Sequence, residues 1–302
     1  MTALKIAIFS ITFQACVCTV GIAQTRIQIE LLSTDPRYGD AMAAVNAAEK
    51  NSPPDGTPGR VVGPGALPTP LYPDVMLITG RGGICTGTVV APGYVMTALH
   101  CVCDSIADGV NIGETPGADS AIGTVDQPIP DDQCPMAPGV LDIAVLHVKM
   151  SRRAKVPMPP PRRFASTAMI NSAKNGWVVG YGINGGGKDG TKEMASVPIL
   201  SPSCTGPQDA NRYGCTAAVQ LVAGLNKAEV SNDTCKGDSG GPLLISDPSH
   251  LNDPNSDLIA ATTVRAVAAS NECGFGGIYN RVDGAVLDWL REHSIPVTVV
   301  GG

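Results

Sequence analysis

The protein has 302 residues, with 21 Lys and Arg against 27 Asp and Glu, so its formal net charge is −6 at pH 7. An acidic chain with only 4% aromatic residues lacks the basic, aromatic surface typical of nucleic-acid binding, so we expect no nucleic acid partner. A composition of 43% hydrophobic and 16% charged residues, with 35 Gly and 25 Pro, favours a loop-rich β protein over a disordered or coiled-coil chain. Ten cysteines indicate disulfide bonds and an oxidising compartment.

The N-terminus is typical of a secretory signal. Lys5 precedes an apolar run, and Gly21-Ile22-Ala23 supplies small residues at the two positions that signal peptidase reads. We predict a signal peptide over residues 1–23 and a secreted protein, extracellular or periplasmic. An uncleaved membrane anchor is the alternative, disfavoured by polar Thr12 and Gln14 near the middle of the run. No later stretch is long enough to span a bilayer, so we expect no stable membrane insertion after signal removal.

Residues 24–60 differ in composition from the rest of the chain. They are polar, with one Ala-rich helical patch over 40–50, and they end in a segment too rich in Pro and Gly to pack. We predict that residues 24–60 form a propeptide.

After Arg60, short apolar runs recur between Gly and Pro turns, a spacing typical of antiparallel barrels or sandwiches. These predicted strands cover 75–79, 84–90, 94–98, 143–148, 177–181, 195–200, 243–245, 258–268 and 277–282. Only the end of the chain is convincingly helical, with Asp283 as the expected N-cap. The basic, Pro-rich segment 150–164 separates two blocks of strands, and we interpret it as a solvated connector rather than a docking site for an anionic surface.

Three short motifs carry the residue types of nucleophilic catalysis. They are Thr97-Ala-Leu-His100-Cys101, Leu141-Asp142 and Cys235-Lys-Gly-Asp-Ser239-Gly-Gly-Pro242. A serine flanked by three glycines allows the backbone to turn tightly and to present a hydroxyl and adjacent N–H groups to one point. That hydroxyl is a poor nucleophile until an imidazole takes its proton, and the imidazole needs a carboxylate to fix its tautomer. The chain supplies all three in the order His, Asp, Ser.

With these motifs in this order, residues 60–293 resemble the trypsin-like (chymotrypsin-fold) serine proteases. The resemblance implies an all-β fold of two packed six-stranded antiparallel Greek-key β-barrels with a C-terminal α-helix. The protease domain would cover residues 61–302. Its parts would be an N-terminal barrel at about 61–155, a C-terminal barrel at about 164–282 and a terminal helix at about 284–293.

The same resemblance implies a serine endopeptidase and gives each site residue a role. His100 would be the general base, Asp142 the acid that orients it, and Ser239 the nucleophile. The backbone N–H groups of Gly237 and Ser239 would form the oxyanion hole. We expect the partners to be protein or peptide substrates and the enzyme to be a monomer.

Removing the predicted signal leaves eight cysteines, an even number suited to four bridges. The resemblance implies the pairs Cys85–Cys101, Cys204–Cys215 and Cys235–Cys273, and it leaves Cys103–Cys134 as the remainder. Zinc is disfavoured because Cys101-x-Cys103 is not a Cys-x-x-Cys pair and no histidine recurs at a ligand interval. A calcium loop starting at Asp253 is disfavoured because Leu258 replaces its Gly and Val264 its Glu. We expect no metal and no cofactor.

In the resembling family, the position of Asp233 forms the floor of the pocket for the residue before the cleaved bond. A buried carboxylate there pairs with Lys or Arg, and an apolar side chain would leave it unpaired. We therefore predict cleavage after Arg or Lys, with Ser270 and Gly277 as small pocket walls. Ala268-Ala-Ser270 stands where the family usually has Ser-Trp-Gly, which predicts altered subsites.

The family is made as zymogens, and Arg60-Val61-Val62-Gly63 resembles its activation sequence. Cleavage after Arg60 would free the ammonium of Val61 to pair with Asp238 beside the nucleophile. Because Arg60 suits a pocket with an acidic floor, self-activation is an option.

Two alternatives use the same residues. Gly237-Asp-Ser239-Gly-Gly241 also satisfies the Gly-x-Ser-x-Gly pattern of α/β-hydrolase esterases, with Asp257 or Asp283 and His293 as partners. The absence of a preceding apolar strand and of βαβ alternation disfavours it. The other alternative is a secreted, catalytically silent binding module on the same fold.

Overall fold

The structure is a computed structural model that describes residues 66–104, 106–116, 121–130, 134, 136, 140–183, 190–224, 232–251, 253–267 and 273–301. The predicted signal peptide, the predicted propeptide and the residues Arg60, Val61 and Ser270 lie outside these ranges. Among the described residues, no helix is both long and apolar enough to cross a membrane.

Strands dominate the described part of the chain. They are β1 Leu67–Pro68, β2 Val75–Gly80, β3 Gly83–Ala91, β4 Tyr94–Thr97, β5 Gly109–Asn111, β6 Ala121–Ile129, β7 Ala144–Met150, β8 Phe164–Ala165, β9 Asn175–Gly180, β10 Glu193–Ser201, β11 Gln220–Ala223, β12 Pro242–Ile245, β13 Leu258–Ala266, β14 Gly277–Arg281 and β15 Val299–Val300. The helices are α1 Leu99–Cys103, α2 Thr167–Ser172, α3 Asp209–Tyr213 and α4 Ala285–Glu292, with a 3₁₀ turn at Pro254–Ser256.

The first barrel closes in the order β2-β3-β4-β7-β6-β5, with every pair antiparallel. Successive residues of a strand point to opposite faces. On β2, Met76 and Ile78 enter the interior of this barrel, whereas Val75 and Leu77 enter a core shared with the second barrel. Because both faces are covered, β2 is a continuous apolar run rather than an alternating one.

The second barrel contains β9, β10, β11, β14, β13 and β12, and pairing of β12 with β9 closes the ring. Two six-stranded antiparallel barrels confirm the predicted fold class and exclude the doubly wound sheet of the esterase alternative. After β14, α4 buries Val286 and Leu290, one turn apart on its inner face. Its N-cap is Gly284, so the prediction of Asp283 as the cap is wrong. The Asp283 carboxylate instead pairs with Arg281 at 2.6 Å.

The basic connector between the barrels is not uniformly solvated, which corrects the interpretation from the sequence. The Arg162 side chain is 3% exposed and donates from Nε and Nη2 to the two carboxylate oxygens of Asp74, each at 2.5 Å. Its Nη1 donates to the Asp257 carbonyl at 2.7 Å. Since Asp74 precedes β2 and Asp257 precedes β13, this guanidinium joins the two barrels.

Replacing Arg162 with Met should lower the free energy of unfolding by about 3–5 kcal/mol, because the buried Asp74 carboxylate would lose its partner. Arg152, which is exposed in the same connector, provides the control. Its change to Met should alter stability by less than about 0.5 kcal/mol. Urea denaturation with the disulfides intact measures both, and equal stabilities of the two variants would contradict the role given to Arg162.

Candidate active site

The loop that carries Ser239 adopts a conformation that requires glycine. Gly237 and Gly240 have φ of 95° and 80°, the left-handed region that side chains rarely adopt. A Cβ on Gly240 would lie 2.0 Å from Thr97 Oγ1, and one on Gly237 would lie 2.9 Å from the Gly182 Cα. The absence of a Cβ at these glycines therefore allows the loop to pack closely against the end of β4 and to turn sharply around Ser239.

Thr86 on β3 fixes this loop, a role that sequence reasoning missed. Its backbone N–H donates to the Ser239 carbonyl at 2.9 Å, and its Oγ1 donates to the Gly237 carbonyl at 2.9 Å. The same Oγ1 accepts from the Tyr181 N–H at 3.0 Å. One threonine of the first barrel thus holds both ends of the turn that belongs to the second barrel.

Two backbone N–H groups of the turn have no acceptor among the described residues. The N–H groups of Asp238, Gly240 and Gly241 donate to the carbonyls of Cys235, Thr263 and Asp238. Within the described residues, those of Gly237 and Ser239 donate to no protein acceptor. Two N–H groups available on the same turn can stabilise an oxyanion that forms beside the Ser239 hydroxyl.

His100 lies on α1, directly after β4. Its Nδ1 is 2.8 Å from Asp142 Oδ2, and its backbone N–H donates to Asp142 Oδ1 at 3.0 Å. Asp142 is buried, and its carbonyl accepts from Asn280 Nδ2 at 2.8 Å. The disulfide Cys85–Cys101 ties the residue after His100 to β3. Backbone and side chain of the histidine are thus both oriented by one carboxylate.

The environment raises the pKa of His100 above its ordinary value. Burial by itself lowers this pKa, but the hydrogen bond and the charge of Asp142, with a smaller contribution from Asp104, outweigh it. With Nδ1 directed at Asp142, Nε2 is the nitrogen left to exchange protons with a reacting group.

Ser239 and His100 border two adjoining cavities. A pocket of about 420 Å³ is lined by Ser239, Thr234 and Ala266, and a cleft of about 670 Å³ by His100 and Asp142. Val264 and Arg265 line both. No hydrogen bond joins Ser239 to His100 in the described part of the chain. Such bonds are often long without substrate and tighten when it binds.

Asp233 is 1% exposed and directly precedes Thr234, which lines the Ser239 pocket. Its Oδ2 accepts the backbone N–H groups of Gly276 at 2.9 Å and Gly274 at 3.2 Å. Its Oδ1 is buried with no hydrogen-bond partner among the described residues. Burial raises the pKa of Asp233 to about 7, although hydrogen bonds from the backbone lower it in part.

The family model for trypsin matches residues 73–290 of this chain, which hold the barrels and the site. The chain belongs to the trypsin family of serine proteases. Trypsin of Saccharopolyspora erythraea is 30% identical over 227 residues, covering 72% of this chain and 91% of that protein.

Two animal relatives are longer. Human serine protease 56 is 29% identical over 247 residues, 78% of this chain but 39% of that protein. Bovine coagulation factor XII is 26% identical over 254 residues, 78% of this chain and 40% of that protein. The chain therefore spans about two fifths of the length of these two relatives.

In this trypsin-family chain, the strand register identifies a small residue opposite Gly277. Ala266 pairs with Gly277, and Arg265 pairs with Ile278, after a bulge in β13. Ala266 is thus the residue opposite Gly277, and Ser270 lies four positions further along the chain. Ser270 lies outside the described residues, so its role as a pocket wall stays a prediction. The residues beside the nucleophile are Val264-Arg265-Ala266.

Asp238 is fully buried behind the Ser239 turn. Its Oδ1 accepts the Gly182 N–H and its Oδ2 the Cys235 N–H, each at 2.8 Å. Burial raises the pKa of Asp238 to about 6, against the lowering effect of these two donors. No cation pairs with this carboxylate in the ranges that the structure describes.

The structure contains the four predicted disulfides, Cys85–Cys101, Cys103–Cys134, Cys204–Cys215 and Cys235–Cys273. Ligand atoms of Cys85, His100 and Cys101 lie within 4.8 Å of one another, the one such group in the described ranges. The two sulfurs are bonded to each other, so this group does not fit a metal ion.

Proposed function

We propose that this protein is a secreted, monomeric endopeptidase that hydrolyses peptide bonds after Arg or Lys. The observation that carries the proposal is the oriented His100–Asp142 pair beside the turn of Ser239. The buried carboxylate of Asp233, next to Thr234 of the Ser239 pocket, supports the preference for a basic residue. Ser239 is the nucleophile, His100 the general base and Asp142 the residue that orients it.

In the first step, Ser239 Oγ attacks the substrate carbonyl carbon while its proton passes to His100 Nε2. The carbonyl oxygen becomes an oxyanion, which accepts hydrogen bonds from the backbone N–H groups of Gly237 and Ser239. His100 then gives the proton to the leaving amine as the peptide bond breaks, which leaves an acyl group on Ser239. Water then attacks the carbonyl carbon of this ester while His100 Nε2 takes a proton from the water. His100 passes that proton to Ser239 Oγ as the ester bond breaks, so the hydroxyl is regenerated and the carboxylic acid product leaves.

The preference for Arg or Lys rests on Asp233. A basic side chain in the Ser239 pocket would offer donors to Oδ1, which has no partner among the described residues. Small residues on the two paired strands, Ala266 and Gly277, leave room for a long side chain. A neutral side chain would leave this buried carboxylate without a charge partner.

Activation by cleavage between Arg60 and Val61 rests on Asp238. A fully buried carboxylate held by only two N–H groups in the described part of the structure would be stabilised by an ammonium. The freed N-terminus of Val61 supplies that cation. Since Asp238 directly precedes Ser239, its pairing also sets the conformation of the oxyanion hole. Secretion fits the four disulfides, which persist in oxidising compartments.

A fluorophosphate probe tests the site and its activation together. The full chain should react slowly, and the chain processed after Arg60 should carry one label on Ser239 and cleave Arg and Lys peptides in preference to Phe peptides. Arg60→Gln, or chemical blocking of the Val61 amine, should leave the protein nearly inactive despite an intact site. Full activity of Arg60→Gln would contradict the activation step.

The same experiment separates the alternatives. Absence of label on Ser239 in the processed chain would favour the silent binding module. Labelling with ester turnover but no peptide turnover would contradict the endopeptidase.

A further inference from the structure

Arg265 lies where the two cavities of the candidate active site adjoin. It lies on β13 two residues after Thr263, whose N–H and carbonyl bond to the Ser239 loop at Gly241 and Gly240. Its side chain is exposed, and it lines both the Ser239 pocket and the larger cleft beside His100. A peptide that reaches from the pocket into the cleft must pass this guanidinium.

The guanidinium is oriented but has unused binding capacity. Its Nη2 donates at 2.8 Å to the carbonyl of Gly214, which ends α3. No carboxylate lies within ion-pair distance of Arg265 among the residues that the structure describes. An Arg carries five N–H donors in a planar fork that matches a carboxylate. One hydrogen bond therefore orients the side chain, and its other N–H donors have no protein acceptor among the described residues of the two cavities that it lines.

A second cation borders the same site. Lys236 is exposed and lines the Ser239 pocket together with Arg265. Among the described residues it also has no ion-pair partner. The rim of the pocket is thus positive, although the whole chain carries a net charge of −6. The acidic groups nearby are Asp142, which is committed to His100, and exposed Asp104 at the His100 end of the cleft.

We propose that Arg265 selects substrates with an acidic side chain close to the cleaved bond. The proposal rests on the function proposed above, and it narrows the substrate class to segments of mixed charge. The basic residue enters the pocket in front of Asp233, and an Asp or Glu within about four residues of it, on an extended chain, reaches the Arg265 fork. A second basic residue at that place is repelled.

Quenched-fluorescent peptides test the proposal with the chain processed after Arg60. Each peptide has one Arg among neutral residues, and a Glu or its isostere Gln stands at one of the four positions on either side of the Arg. At low salt, one placement of Glu should give a kcat/KM about tenfold above that of its Gln partner. Raising the ionic strength from about 0.01 M to about 1 M should reduce this ratio, because salt screens exposed charges.

Variants assign the preference to one residue. Arg265→Gln should bring the Glu/Gln ratio to about one, and Arg265→Glu should invert the preference towards a Lys peptide at the same position. Lys236→Gln removes a neighbouring positive charge and serves as the matched control. It should keep most of the Glu/Gln ratio, because Lys236 does not line the larger cleft. A purely structural role of Arg265 would lower turnover of both peptides equally and keep the ratio.

A ratio near one for the unmodified enzyme, or an unchanged ratio in Arg265→Gln, would overturn the proposal. Equal cleavage of Glu and Gln peptides would leave the proposed function standing. Failure to cleave any Arg peptide would overturn the function and this proposal together.

Discussion

Replacing Asp142 with Asn should lower kcat about 10⁴-fold at neutral pH and leave the fold unchanged. Both oxygens of Asp142 accept an N–H of His100, one from Nδ1 at 2.8 Å and one from the backbone at 3.0 Å. An amide has only one accepting end. When its oxygen takes the backbone N–H, its NH₂ faces Nδ1, which must then be the unprotonated nitrogen. The ring proton moves to Nε2, where it prevents His100 from accepting the proton of Ser239.

Asp126 offers a matched control for this prediction. Its carboxylate bonds His147 Nδ1 at 2.7 Å, but the two side chains are 41% and 40% exposed on the first barrel. Asp126→Asn should therefore keep wild-type kcat. Active-site titration followed by steady-state kinetics on an Arg peptide measures both variants. If Asp142→Asn retained more than a tenth of the wild-type kcat, the role given to this pair would be wrong.

The sequence predicted best those features that are local in the chain. The Gly-rich turn around Ser239 follows from residues within a few positions of it, because positive φ at Gly237 and Gly240 is a property of those residues. Strands with buried faces, such as β2, appear as apolar runs. Strand β6 does not, because Asp126 and Pro128 interrupt it and four of its nine residues are exposed.

Features that depend on distant partners were not predicted. Thr86 holds Gly237 across a sequence separation of 151 residues, and an isolated threonine carries no signal of that bond. Arg162 lies in a basic, Pro-rich stretch that suggests solvent exposure. Its side chain is nevertheless buried, where it forms an ion pair with Asp74, 88 residues away in the chain. The register that places Ala266 opposite Gly277 depends on a bulge between Thr263 and Arg265, which hydrophobic patterning does not encode.

Replacing Asp233 with Ser should lower kcat/KM for Arg and Lys peptides about 10²–10⁴-fold, because a basic side chain would enter the Ser239 pocket without a charge partner. Turnover of a Phe peptide should change less than about tenfold, since it makes no use of the carboxylate. Asp247 is the control, because its side chain is likewise 1% exposed but pairs with Arg163 at 2.9 Å. Asp247→Ser should keep the wild-type ratio of Arg to Phe turnover.

The pH dependence of inhibition separates a charge effect from a change of pocket shape. Burial raises the pKa of Asp233 to about 7, so the carboxyl group becomes protonated and neutral as the pH falls below that value. A cationic ligand binds the ionised form, and the affinity for benzamidine should therefore fall with decreasing pH by up to tenfold per pH unit. Protonation of His100 at low pH also repels the cationic benzamidine, and this smaller effect weakens binding in the same direction. In Asp233→Ser, binding should be weak at every pH and should retain only the His100 contribution. An unchanged pH profile in this variant would mean that another group recognises the cation.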